Sequence, residues 1–140
     1  MSTVLWANVL VDGKVKSDQA DHRALYKHAG KLDRVCRGLG LSGFLSVCDT
    51  TDQRFNLDDT DLPAGMSSTD EMMAASGVWM PIVEAVLWLQ TLRDHIVSRN
   101  VRFGLLSNQY EQVLAELDEV LAFARAEAAT AQQFNFSVVM

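Results

Sequence analysis

The sequence predicts an α+β fold in a single domain, in which a small antiparallel sheet from the N- and C-terminal strands packs on three to four helices. Apolar residues recur at helical spacing at 79–99 and 110–124. Runs rich in β-branched and aromatic residues lie at the two ends of the chain, at 3–11 and 134–140. The chain of 140 residues suits one globular domain over its whole length, large enough to bury about two-thirds of its unfolded surface.

The N-terminal segment predicts a hairpin. Residues 3–11 favour a strand that ends at Asp12-Gly13, and this dipeptide favours a type I′ turn because both central residues need positive φ. Residues 14–16 are the expected return strand. The apolar C-terminal segment is expected to pair with this hairpin, because an unpaired apolar strand promotes aggregation. These strand-forming termini also suggest a homodimer.

Two capping patterns predict helices in the first half of the chain. Ser17 or Asp18 is expected to cap the first helix. Gly30 lies inside this helix, where it marks either close packing or a break between two shorter helices. Ser68 and Glu71 form a capping box at the start of a short helix.

The segment 79–99 predicts a central helix. Its apolar residues cover more than one stripe, which is typical of a helix with neighbours on several sides. Pro81 suits the first turn. Glu84 either lies exposed in that turn, as we expect, or is buried, where burial raises its pKa. Asn108 and Glu111 resemble a second capping box and begin the last helix.

The segment 41–65 has the weakest pattern and is expected to be largely irregular. Residues 43–48 fit a short strand and a helix start equally well. Two acidic clusters at 49–52 and 58–61 are typical of turns. Their oxygens suit a cation, but neither cluster places glycine at the sixth position of an EF-hand loop. Long ordered loops often carry functional sites.

Composition excludes several classes of function. A net charge of −6 with 12 scattered basic residues argues against nucleic-acid binding. No apolar run reaches the length of a membrane helix, and the N-terminus lacks the features of a secretion signal. The expected location is therefore the cytoplasm, with Cys36 and Cys48 as reduced thiols. No zinc spacing, GxSxG, P-loop or GxGxxG motif occurs, so no metal and no cofactor is predicted.

Two hypotheses of function remain. The preferred one is a non-enzymatic cytosolic protein that binds another protein, as a regulatory or immunity-type factor, with the methionine-rich segment 66–80 as its interface. The alternative is a small enzyme or ligand-binding domain with a site at the Asp49–Asp61 loop and the first helix. The candidate residues for a ligand or partner are His22, Tyr26, Asp49, Asp52, Arg54, Met72 and Met73.

Several short segments carry a resemblance to known sequences. They are Ser17-Asp18, Asp21, Ala24-Leu25-Tyr26-Lys27-His28, Lys31-Leu32-Asp33, Phe55-Asn56-Leu57 and Leu62-Pro63-Ala64-Gly65-Met66. Together they resemble a family of small uncharacterised bacterial proteins, and the similarity covers most of the chain. The resemblance implies a bacterial cytosolic protein and carries no activity.

Overall fold

A sheet joins the two ends of the chain in the structure, a computed structural model that describes residues 2–58 and 62–140. The strands in this part of the chain are β1 (Val4–Val11), β2 (Lys14–Ser17), β3 (Cys48–Asp49), β4 (Met80–Pro81) and β5 (Gln133–Val139). The helices are α1 (Arg23–Lys27), α2 (Ala29–Gly38), α3 (Thr51–Asp58), α4 (Thr69–Ser76), α5 (Ile82–Arg99) and α6 (Tyr110–Glu127), with a 3₁₀ turn at Phe44–Val47. The predicted α+β class is confirmed, with more and shorter helices than expected.

The two terminal strands form the centre of the sheet. β1 pairs antiparallel with β5 from Val4 opposite Val139 to Leu10 opposite Gln133. β2 flanks β1, and β3 and β4 pair with the other edge of β5. β3 runs parallel to β5, whereas the other pairings are antiparallel. Both terminal strands therefore have neighbours on both sides.

The hairpin between β1 and β2 forms as predicted. Asp12 has a φ of 51° and Gly13 a φ of 77°, the left-handed conformations that a type I′ turn requires. Ser68 caps α4 as predicted, since the Glu71 N–H donates to Ser68 Oγ at 3.3 Å. The reciprocal bond of the predicted capping box is shifted by one residue, because the Glu71 carboxylate accepts from the backbone N–H of Ser67 at 3.1 Å.

Alternation along the strands gives the sheet two different faces. One face packs on α1, α2, α5 and α6 in the main core, and its residues are Leu5, Ala7, Val9, Phe134, Phe136 and Val138. The opposite face carries Trp6, Asn8, Asn135 and Ser137, because successive side chains point to opposite sides. α3 packs against β5 and α4 against β2 on this second face.

The first helix differs from its prediction in both its start and its length. Asp18 does not cap it. Asp18 Oδ1 accepts from the backbone N–H groups of Ala7 and Ala20, both at 3.1 Å, so this side chain fixes the turn after β2. The helix begins only at Arg23 and breaks at His28, where φ is −104° and ψ is 17°.

The segment after residue 49 is helical where an irregular loop was predicted. Asp49 ends β3, and its Oδ1 accepts from the Thr51 N–H at 2.8 Å at the start of α3. Asn56 donates to Asp52 one turn earlier, at 3.2 Å. Local polar contacts thus stabilise this helix, which the pattern of apolar residues in the sequence did not predict. Residues 43–48 form the 3₁₀ turn and then enter β3, which combines the two predicted alternatives.

The helix α5 is less enclosed than predicted. Its buried residues include Leu89 and Leu92, whereas Val83 is 80% exposed and Leu87 is 68% exposed. Glu84 is exposed in the first turn, as expected. In the part of the chain that the structure describes, no helix has the length and apolar character needed to cross a membrane.

Truncation of two leucines on α5 tests this orientation of the helix. We expect Leu89→Ala to lower the free energy of unfolding by about 2–5 kcal/mol, because Leu89 is fully buried. The matched control Leu87→Ala should change it by less than about 0.5 kcal/mol, since Leu87 is mostly exposed. Denaturant unfolding of the two variants measures both values. Equal losses of unfolding free energy in the two variants would contradict the orientation of α5.

Candidate functional site

A cleft opens between the polar face of the sheet and the helices α3 and α4. Its volume is about 390 Å³. Residues of β1, β2 and β5 line it from the sheet, and residues of α3 and α4 line it from the helices. The cleft exists because the polar sheet face and the two helices do not close on each other as the main core does.

A hydrogen-bonded group of buried side chains underlies the cleft. Asn8 and Ser137 line it and are almost fully buried. Asn8 Nδ2 donates to Asn135 Oδ1 and to Ser137 Oγ, both at 3.0 Å. Asn135 Nδ2 donates in turn to the backbone oxygen of Val78 at 2.9 Å. These contacts fix the orientation of both amides.

One acceptor in this group stays available. Asn8 Oδ1 accepts no hydrogen bond from any residue in 2–58 or 62–140. Because Asn8 lines the cleft, this oxygen can be satisfied by water or by a ligand that enters the cleft.

Two carboxylates line the cleft from the helices. Asp52 Oδ1 accepts from Thr69 Oγ1 at 3.0 Å, which joins α3 to α4. Asp70 lies in the first turn of α4. Partial burial raises the pKa of Asp70 above its usual value, and the negative charge of Asp52 raises it further. The negative charge of Asp52 thus disfavours the ionised form of Asp70.

An aromatic side chain borders the polar groups. Trp6 lines the cleft beside Val139 and Met140. The indole Nε1 donates to Asp21 Oδ1 at 2.8 Å, which holds the ring in place. The cleft thus combines carboxylates and an amide oxygen with an apolar surface, the mixture typical of small-molecule sites.

Two of the candidate residues from the sequence reach this cleft, namely Asp52 and Met73. Asp49 lies nearby but is buried, and its two oxygens accept from the backbone N–H groups of Thr51 and Val78 at 2.8 and 2.9 Å. A Cβ on Gly77 would come within 2.6 Å of Asp49 Oδ2. Asp49 therefore joins two segments of the chain and has no free oxygen facing solvent.

The remaining candidates lie away from the cleft lining. His22 is 1% exposed, and its Nε2 contacts Asp18 Oδ2 at 2.7 Å. Its Nδ1 has no hydrogen-bond partner within the described residues. Tyr26 and Arg54 are exposed, and Met72 is half-buried. Among the described residues, the first helix and the acidic segment therefore do not line one common cleft.

The acidic segment is only partly described. Asp59 and Asp61, which belong to the predicted acidic site, lie outside the described residues. Sequence reasoning missed Asn8, Asn135 and Ser137. They could have been recognised as polar residues on one face of two terminal strands that are otherwise apolar.

The two cysteines take no part in the cleft. Both are free thiols. Burial raises the pKa of Cys36 and of Cys48 to about 12, and the charge of Asp33 is the second cause in each case. Both thiols are therefore protonated at neutral pH and are poor nucleophiles.

A second surface feature is a pair of leucines in the loop between α5 and α6. Leu105 is 95% exposed and Leu106 is fully exposed. The loop is nevertheless held in place, because Arg102 Nε donates to the oxygen of Gly104 at 2.8 Å and Arg102 Nη2 to that of Leu105 at 3.0 Å. An ordered loop thus presents two apolar side chains to solvent.

Comparisons with known proteins give no relative of this chain. No family model matches the sequence, and no curated protein and no solved structure shows a significant match. The resemblance to small bacterial proteins therefore stays a prediction.

The pKa of Asp70 gives a testable dependence of stability on pH. A carboxyl group with a raised pKa in the folded state binds its proton more tightly when folded. Its stabilising contribution is present at low pH and is lost as the pH rises through the folded pKa. We expect Asp70→Asn to increase the free energy of unfolding at pH 7, and the gain to vanish below pH 3.8.

Glu71 provides a control of opposite sign in the same helical turn. Hydrogen bonds from Ser67 lower the pKa of Glu71. Its contribution is therefore present above the usual value of 4.5 and is lost as the pH falls through the folded pKa. Glu71→Gln should destabilise the protein at pH 7 and have less effect in acid. Chemical denaturation at pH 7 and in acid measures the free energy of unfolding of both variants. If Asp70→Asn loses as much stability at pH 7 as Glu71→Gln, the predicted opposite signs are wrong.

Proposed function

We propose that the protein is a binding protein that takes a small polar molecule in the cleft between the sheet and α3–α4. The observation that supports this most is the Asn8–Asn135–Ser137 group beneath the cleft. A sheet face covered by helices is normally apolar, because buried polar groups are costly without partners. Here the polar side chains face a cavity and one acceptor is available, as in a site built for hydrogen bonding.

The lining favours binding over the common kinds of catalysis. Among the described residues that line the cleft, none is histidine, cysteine or lysine. Asp52 is engaged by Thr69 and Asn56, which suits a fixed binding group. This proposal develops the ligand-binding alternative from the sequence, and of its candidate residues the proposed site keeps Asp52 and Met73.

A substitution on α3 tests the cleft with little risk to the fold. Asn56 lines the cleft and is exposed, so Asn56→Trp should fill part of the cavity and abolish binding. Arg54→Trp is the matched control, because Arg54 is also exposed on α3 and does not line the cleft.

NMR titration with amines, carboxylates, sugars, nucleosides and phosphates provides the measurement. At least one of these compounds should shift the side-chain amide signals of Asn8 and Asn135 in the natural protein and in Arg54→Trp. The same compound should leave those signals unchanged in Asn56→Trp. If no compound shifts them, or if both variants respond equally, the proposed site is wrong.

A second candidate function is binding of another protein, the preferred hypothesis from the sequence. The feature that favours it is the ordered, exposed Leu105–Leu106 pair, since exposed apolar residues often mark contact surfaces. The methionine-rich segment offers less surface than expected, because Met73 and Met80 are buried. The proposed interface therefore moves from that segment to the loop.

Photo-crosslinking tests the loop as an interface. A photoreactive phenylalanine analogue at position 105, expressed in the native host, should give one discrete crosslinked product. The same analogue at Lys14, an exposed position on β2, should not give that product. The substitution Leu106→Ser should reduce the yield of the crosslinked product from position 105. Crosslinking that is equal from both positions, or unaffected by Leu106→Ser, would contradict a specific contact at the loop.

A further inference from the structure

We propose that the ligand of the cleft is a small organic cation with a primary ammonium group, recognised by Asp52, Asp70 and the Oδ1 of Asn8. This inference rests on the proposed function and assigns a chemical class to its ligand. Charge, hydrogen-bonding capacity and the apolar border of the cleft support it separately.

The charge of the lining has one sign. Asp52 and Asp70 line the cleft, and none of the described lining residues is lysine, arginine or histidine. On the outer side of Asp70, Lys14 and Glu71 line a separate groove with it. The negative charge of Asp52 contributes to the raised pKa of Asp70, so a cation between them would relieve an existing repulsion.

The charged groups that line the cleft offer hydrogen-bond acceptors and no donor when they are ionised. A carboxylate only accepts and offers about four lone-pair positions. Asp52 uses one oxygen for Thr69 and the other for Asn56, which leaves each oxygen room for one further donor. Asn8 Oδ1 accepts nothing from the described part of the chain. An ammonium group supplies three donors and no acceptor, so it matches these three acceptor groups.

The apolar border indicates a carbon chain on the ligand. Trp6, Val139 and Met140 line the cleft beside the acceptors. The face of an indole ring attracts a cation as well as an alkyl chain, and Trp6 is held by its hydrogen bond to Asp21. A short alkylamine therefore fits both parts of the lining within about 390 Å³.

The side chains favour an organic cation over a metal ion. Calcium requires six to eight oxygen ligands, usually with several carboxylates. In residues 2–58 and 62–140, no cluster of three histidine, cysteine, aspartate or glutamate side chains is arranged to hold a metal. Two carboxylates with one amide oxygen satisfy an ammonium group more completely than they would satisfy calcium.

Three four-carbon probes with head groups of different charge test the inference. Butylammonium is cationic, 1-butanol is neutral and butyrate is anionic, and calcium chloride tests the metal alternative. In an NMR titration of the protein at neutral pH, butylammonium should shift the Asn8 amide and Trp6 indole signals until the site is saturated. Each of the other three probes should bind at least about tenfold more weakly, because it lacks either the charge or the ammonium donors.

Two neighbouring acidic residues provide the matched variants. Asp70→Asn and Glu71→Gln remove the same charge from the same turn of α4, but only Asp70 lines the cleft. We expect Asp70→Asn to weaken butylammonium binding about tenfold, since a hydrogen bond to a charged group is lost. Glu71→Gln should weaken it by less than about twofold, because exposed charges interact weakly.

The failures of the two proposals can be distinguished. If 1-butanol, butyrate or calcium shifts the cleft signals as strongly as butylammonium, the cation assignment is wrong and the cleft remains a binding site. If the two variants weaken butylammonium binding equally, recognition by Asp70 is wrong. If butylammonium shifts no cleft signal while another class of compound does, only the inference fails. If no compound of any class does, the proposed function fails with it.

Discussion

The pairing of β1 with β5 is the interaction on which the rest of the structure depends. It brings residues more than 120 positions apart into register, with Asn8 opposite Asn135. Because side chains alternate along a strand, a slip of one residue would move Phe134 and Phe136 out of the core. The register therefore fixes at once which residues fill the main core and which face α3 and α4.

The same register creates the candidate site. Asn8 and Asn135 meet on the second face only because their strands pair at that position. The helices α3 and α4 then cover this face incompletely, and the contact between Thr69 and Asp52 holds them together. A polar sheet face under a pair of short helices leaves a cavity, whereas the apolar face forms the main core with four helices. The difference between the faces explains why the site lies on this side.

Local signals in the sequence predicted the elements that depend on nearby residues. The Asp12-Gly13 turn and the Ser68 helix cap formed because their hydrogen bonds and φ values involve residues close in sequence. Elements that depend on distant partners were not predictable in this way. The N–H groups of Ala24 and Leu25 at the start of α1 donate to Glu116 of α6, at 3.2 and 3.0 Å. No pattern near residue 24 indicates this contact.

The sequence alone therefore determined the α+β class, the hairpin, the terminal strands and the two long helices, since periodicity and turn chemistry are local properties. Only the tertiary structure decided that Asp18 fixes a turn, that Asp49 is a buried link, and that Asn8 lies at the floor of a cleft. The physical reason is that the role of a polar side chain depends on which distant donors and acceptors surround it. Those neighbours are set by strand register and helix packing, not by residues nearby in the chain.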